Sequence, residues 1–393
     1  MSTDVDFLII GGGAMGSAAA FSLASRGHQV LLLERFAPGH HEGASHGATR
    51  NFNPAYADPA YVGLLRRADQ LWEDVSQAGG VQLLNRTGLV NHGDEAGQQA
   101  IHTALTAAGI DSELLDADEA GARFAGMRFE TQALHIPSGG QLNADLAVAT
   151  LQRLAAAAGA EIRHGHRVLQ LEVVSEDMAK IVVDDGERTA TVSARRVILA
   201  AGAWTRTLLG ERWTLPRIHV TEEHPVHFAQ RGTSAQWPGF NHTLPPGEHG
   251  GLRIFAPVYG MRTPGEGIKV GWHGSGRVVD PEHRPHQLVA DQLCALQAYA
   301  RRWLPGTDPD SFEPVSCTYA TTEDEHFILD RLGPVTIGAG FSGHGFKFVP
   351  AIGEHLAQLA TGEAGVIPRF AADRAIINPV FLERRMRSGL SRG

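Results

Sequence analysis

Hydrophobic and polar positions follow two patterns along this chain. Residues 7–10 and 30–33 are short runs of uninterrupted apolar side chains, as expected of strands buried on both faces of a parallel sheet. Between them, residues 17–26 carry Ala18, Ala19, Phe21, Leu23 and Ala24 at helical spacing, and Gly27 stands where a helix C-cap belongs. Together they predict a βαβ unit of about thirty residues. Residues 61–78 predict an amphipathic helix (Leu64, Leu65, Ala68, Leu71, Trp72, Val75), and 98–108, 117–124 and 143–158 predict further helices. Residues 81–90 predict a strand pair turning at Asn85-Arg86-Thr87-Gly88, and 133–141 a strand and turn. Residues 161–167, 168–174, 179–184 and 189–192 alternate as a small β meander, after which 197–201 is again a continuous apolar strand. From Leu215 to Thr322 prolines punctuate short apolar stretches. There, 218–226, 252–258 and 268–272 predict antiparallel strands and 287–303 a helix. Residues 335–340 predict a strand ending in glycine, and 350–360 a closing helix.

A strand with small residues at its end, so far downstream of the first βαβ unit, predicts a domain that is interrupted and then resumed. With 393 residues the chain is long enough for two domains. Its 43% hydrophobic and 20% charged content is that of a globular protein, and its formal charge of −9 offers no general attraction for nucleic acid or anionic lipid. No apolar run approaches a membrane span. The acidic start, MSTDVDFLII, does not read as a secretory signal. Two cysteines, Cys294 and Cys317, make no disulfide framework, so a cytoplasmic location is expected.

The chemistry begins at the first turn. Gly11, Gly13 and Gly16 form G-x-G-x-x-G between strand and helix. The first glycine permits the turn, the second lets backbone approach a pyrophosphate, and the third lets helix pack on strand. The helix N-terminus favours an anion. Glu34, at the end of the second strand, suits a ribose and disfavours a 2′-phosphate. The turn therefore predicts a dinucleotide site. Residues 35–60 predict a long loop carrying Arg50, and 341–348 a second glycine-rich loop before a helix N-terminus.

GGGAMG with Glu34, SHGATR (45–50), VILAAGAW (197–204), KVGWH (269–273), CTYATTEDEHFILD (317–330) and GAGFSGHGFKF (338–348) occur in this order over nearly the whole chain. So arranged, the chain resembles the monomeric sarcosine oxidase family of flavoenzymes. That family includes N-methyltryptophan and pipecolate oxidases and, more distantly, the amadoriases. The resemblance implies an α/β protein, α+β overall, of the D-amino-acid-oxidase type. A Rossmann-like FAD-binding domain would span 1–85, 145–216 and 323–393, and a substrate domain with a mainly antiparallel sheet would span 86–144 and 217–322. It also implies transfer of a hydride equivalent from the carbon beside nitrogen to flavin N5, imine hydrolysis, and reduction of O2 to hydrogen peroxide by a monomer without nucleic-acid or membrane partners.

Residue by residue, the resemblance assigns FAD to the glycine turn (Gly11, Gly13, Ala14, Met15, Gly16), to Glu34 and Arg35, and to Ser45, Thr49 and Arg50. It adds Val168, Ala201, Gly202 and Trp204, then Gly340, Gly343, His344, Gly345, Phe346 and Lys347. Cys317 falls on the family's flavin-linking cysteine, where it would form an 8α-thioether; outside the motif it would read as a small buried hydrophobe. Cys294, on an apolar helical stretch, is read as inert packing. Lys269 matches the lysine that activates dioxygen, a role that asks for a fixed cation where superoxide charge develops; alone it would read as a strand lysine with its head in water. His273 matches a histidine near the substrate that could help keep the amine unprotonated. Tyr319 matches a tyrosine lining the pocket, Arg50 an arginine beside the flavin ring, and Lys347 a lysine holding the substrate carboxylate.

Two departures bear on the substrate. Asn53 stands where sarcosine-type members carry a second arginine, and an amide cannot grip a carboxylate with a charge-assisted pair. In Thr221-Glu222-Glu223-His224, Glu222 is expected either to meet a cationic or hydroxylated substrate or to point to solvent. The expected substrate is therefore a secondary or N-methylated amine larger than sarcosine, or one with its carboxylate farther from nitrogen. The alternatives are an oxidase of glycated amines and an FAD amine dehydrogenase using another acceptor.

Overall fold

The computed structural model describes residues 3–210, 213–232, 237–376 and 380; the portions of the expected segments on 1–2, 211–212, 233–236, 377–379 and 381–393 lie outside the described residues. Thr3–Ile10 is the centre of an eight-stranded sheet. It pairs in parallel with Val30–Leu33 on one side and Thr189–Leu199 on the other, and Glu161–Arg163 extends the sheet beyond Val30–Leu33. The helix Ala14–Ala24 lies on this sheet with most of its residues buried, as a helix apolar all round must be. Two further helices cover it: Ala144–Ala157 and Val349–Thr361.

The last arm of the meander, 189–192, and the apolar strand after it, expected as separate elements, are one strand, Thr189–Leu199. Its first half pairs antiparallel with Met178–Asp184, and its second half pairs in parallel with Val335–Ala339. The polar stretch that suggested a break holds Arg195 and Arg196, which turn outward to Asp6 (3.4 Å) and Asp177 (2.8 Å) while the backbone stays extended.

A second eight-stranded sheet runs in the order Thr307–Pro314, Val226–Gln230, Gly267–Trp272, Val258–Thr263, Gly239–His242, Leu89–His92, Ala133–Ile136, Glu113–Leu115. It is antiparallel except between Gly239–His242 and Leu89–His92. The helix Ala290–Trp303 packs against it through Tyr299 and Trp303. Two strands expected as single elements are divided. Residues 218–226 become Ile218–Glu223, in a three-stranded sheet with Cys317–Thr322 and Arg277–Val278, and Val226–Gln230 in the large sheet. Residues 252–258 become Leu252–Ile254 and the start of Val258–Thr263. Both divisions fall at a proline, Pro225 and Pro257, which has no N–H to continue a ladder. Nor do residues 81–90 form a hairpin: Leu84–Asn85 pairs with Gly140–Leu142, whereas Leu89–His92 joins the large sheet. Thr307–Pro314 was not expected as a strand; with two prolines it lies at the sheet edge, where a missing donor is tolerated.

Candidate active site

A cavity of about 700 Å³ runs from the first glycine turn, past the C-terminal ends of the parallel strands, to the face of the large antiparallel sheet. At its first end Gly11, Gly13, Ala14 and Met15 present the N-terminus of Ala14–Ala24, which has no side-chain cap. The Ala14 N–H donates to Ser45 Oγ at 3.0 Å. Glu34 is fixed by two backbone donors, Gly12 N–H at 2.6 Å and Phe36 N–H at 2.9 Å. Arg35 grips Glu282 with both terminal nitrogens, at 2.6 and 2.7 Å, and lies over the Phe36 and Trp204 rings. Val168, Ala201, Gly202 and Trp204 line the same end.

Farther along, three cations face the cavity with carbonyl and hydroxyl oxygens as partners. Arg50 begins the strand Arg50–Phe52 inside the expected loop. It donates to the carbonyls of Ala44, His46 and Thr49, and its Nη2 lies 4.0 Å from Cys317 Sγ. Lys269, buried on the large sheet, places Nζ 3.5 Å from the Thr49 carbonyl; burial, reinforced by Arg50, pushes its pKa down to about 7. Lys347 donates to the His344 carbonyl at 2.6 Å and the Tyr56 hydroxyl at 3.1 Å, and burial brings it too to about 7. Burial holds His344 well below the usual histidine range, so it is neutral; its Nδ1 lies 3.0 Å from the Tyr56 hydroxyl. Tyr319 lies with its hydroxyl 3.5 Å from His273 Nδ1, and burial raises the Tyr319 pKa well above 10, so its phenol stays protonated. Gly343 has φ +74°, and a Cβ there would lie 2.2 Å from the Tyr319 ring, so only glycine lets that ring rest on the loop. Thr49, Asn53, Gly345 and Phe346 complete this part of the wall.

Three expected contacts are corrected. Glu222 neither faces the cavity nor points to solvent. It is 1% exposed, accepts from Ser316 Oγ at 2.7 Å and lies 3.4 Å from the buried Arg284 guanidinium. The strand Ile218–Glu223 lies in the small sheet between Arg277–Val278 and the cavity-lining Cys317–Thr322, and there the acid is held in an internal ion pair. Gly16 and Gly340 are also absent from the lining. A Cβ on Gly16 would meet the Gly11 carbonyl oxygen at 1.9 Å, and one on Gly340 the Thr322 methyl at 2.5 Å, so both serve close packing. Cys294, read as buried packing, is exposed on Ala290–Trp303.

Tyr56 and Tyr259 line the cavity without having been expected there. Tyr259 pairs with Gly271 across adjacent strands, a register no local motif announces. No helix among the described residues is long and apolar enough to cross a membrane.

The donor set suits FAD. A helix N-terminus, an ordered carboxylate at the end of the second strand, and cations beyond them share one cavity, and a Cβ at Gly11 would strike the Ala200 carbonyl oxygen at 2.5 Å. Residues 6–359 match the family described as FAD dependent oxidoreductase (DAO). The monomeric sarcosine oxidase of Bacillus sp. (strain NS-129) is 31% identical over 376 residues, covering 92% of this chain and 94% of that protein. The N-methyl-L-tryptophan oxidase of Salmonella dublin is 29% identical over 369 residues, covering 91% and 95%. Among solved structures, NikD, described as an unusual amino acid oxidase essential for nikkomycin biosynthesis, superposes with a TM-score of 0.82 at 26% identity over 96% of this chain and 99% of its own. Family match and relatives both extend over nearly the whole chain, which therefore belongs to the FAD dependent oxidoreductase (DAO) family and, within it, to the sarcosine and N-methyl-amino-acid oxidase relatives acting on CH–NH groups.

Proposed function

We propose that the chain oxidises a secondary or N-methylated amine or amino acid larger than sarcosine, with FAD held through Cys317 and dioxygen as acceptor. In this reading 1–85, 145–216 and 323–393 hold the cofactor, 86–144 and 217–322 meet the substrate, and the protein works as a cytoplasmic monomer. The observation that carries it is the pair Arg50 and Lys269, which face the cavity beside Cys317 with carbonyl oxygens as their hydrogen-bond acceptors. Two cations so placed stabilise negative charge that appears during reaction.

FAD, when bound, supplies two-electron oxidation at the carbon beside nitrogen. The chain's own residues do the rest. His273 Nδ1, 3.5 Å from the Tyr319 hydroxyl, takes the proton the substrate ammonium loses on binding. Lys347 presents a cation to a substrate carboxylate, whose charge favours the protonated lysine. Asn53 Oδ1 is committed to the Ala55 N–H at 2.8 Å, so this side chain does not replace an arginine. Lys269 stabilises the charge that forms as dioxygen takes electrons.

The test is peroxide release across amines that pair each N-methyl α-amino acid with a longer-chain or carboxylate-free analogue. Turnover of the longer partners above sarcosine is expected. Lys269→Met should keep bleaching of the flavin by amine while slowing reoxidation by air at least tenfold. Bleaching without peroxide in the unmodified protein would mean a different acceptor, and no bleaching by any amine would overturn the amine reading.

A further inference from the structure

Beyond Tyr259 the cavity floor continues into a compartment the proposed chemistry does not use. Register sets Gly271, Tyr259, Asn241 and Asn91 opposite one another on four adjacent strands, so they share the face turned to the cavity. Three strand spacings, about 14 Å, separate the first from the last. Asn241 Nδ2 donates to Asn91 Oδ1 at 2.8 Å. The helix Glu95–Ala107 closes this end with Gln98, 3% exposed, and Asn51 reaches over Gly239 from the strand Arg50–Phe52.

The polar atoms here are unusual. Asn91 Nδ2, Gln98 Nε2, Gln98 Oε1 and Asn51 Oδ1 are shut off from solvent and have no hydrogen-bond partner among the described residues. Buried polar groups are nearly always paired, so four in one compartment ask for a partner that enters it. Two are donors and two acceptors. A carboxylate would satisfy only the donors and an ammonium only the acceptors. A hydroxyl donates and accepts at once. The acid at this end, Asp94, is exposed and already accepts from the Gly97 N–H as a helix cap.

We propose that this carboxamide compartment binds the distal part of the amine substrate, and that this part is uncharged and polyhydroxylated. The inference rests on the amine-oxidase reading and names the substrate class for it.

N-methyl-D-glucamine and N-methylhexylamine carry the same six-carbon chain and differ in hydroxyls. The polyol should show a kcat/KM at least about tenfold higher, carried mainly by KM. Gln98→Met and, separately, Asn91→Leu should each lower the polyol's kcat/KM more than the alkyl amine's, with flavin content equal to the unmodified protein as the check on folding. Preference for the alkyl amine, or a ratio indifferent to both substitutions, overturns the proposal while leaving the oxidase reading intact. Calorimetry with the two methyl thioethers, sulfur replacing nitrogen, separates the reverse case. Tighter binding of the polyol thioether, lost in Gln98→Met, sustains the compartment even if neither amine is oxidised; equal binding overturns it.

Discussion

Lys347 shares its ammonium between the Tyr56 hydroxyl and the His344 carbonyl, and burial alone brings its pKa down to about 7. The unfolded chain holds that proton up to about pH 10.4, so between pH 7 and 10 unfolding takes up a proton and stability rises with pH. Lys347→Met removes this dependence. It should raise the denaturation midpoint at pH 7, and the gain should shrink by up to about 1.4 kcal/mol per pH unit toward pH 10. A gain that does not vary with pH in urea melts would contradict a depressed lysine. The same residue shows how far motif reading reaches. GFKF marked Lys347 as a cation of the site, but its partner Tyr56 is 291 positions away and has no motif of its own. Glu222 is the converse. From sequence Glu222 had either a ligand role or a place in solvent, yet Arg284, 62 positions later, closes on it.

Element by element, periodicity was most reliable where one residue forces one geometry. The helix after the first turn packs so closely that a Cβ on Gly16 would lie 1.9 Å from the Gly11 carbonyl oxygen, a backbone atom that cannot move aside. Gly16→Ala should cost about 1–3 kcal/mol of stability, or prevent folding, and sharply reduce flavin content. Unchanged urea denaturation with full flavin would refute that packing. Strand limits were less legible. Arg195 and Arg196 looked like the end of a strand because acids on other segments, Asp6 and Asp177, keep them at its surface. Pro225 and Pro257 ended ladders inside runs whose apolar pattern continued across them.

At the scale of the molecule the cavity joins two sheets. Arg35, after the parallel strand Val30–Leu33, reaches Glu282, beyond the small sheet's Arg277–Val278, and Cys317 begins the strand Cys317–Thr322 opposite Arg50. A thioether at Cys317 would tie the cofactor across that junction. Acid-precipitated protein should then stay yellow, whereas Cys317→Ala should release its colour; colour retained by the variant would exclude this attachment. The linear order of residues sufficed for the glycine turn, Glu34 and the cation-bearing motifs, because backbone freedom, charge and local spacing are properties of a few consecutive residues. It also determined two kinds of sheet, since uninterrupted and proline-broken apolar runs differ on sight. Which carboxylate is spent on an internal ion pair, and which amides stay unpaired among the described residues, follows from packing between distant segments. Asn91, Asn241 and Tyr259 meet through strand register, and Gln98 joins them from a helix. Such meetings depend on the order in which distant strands pair, which no stretch of chain encodes alone.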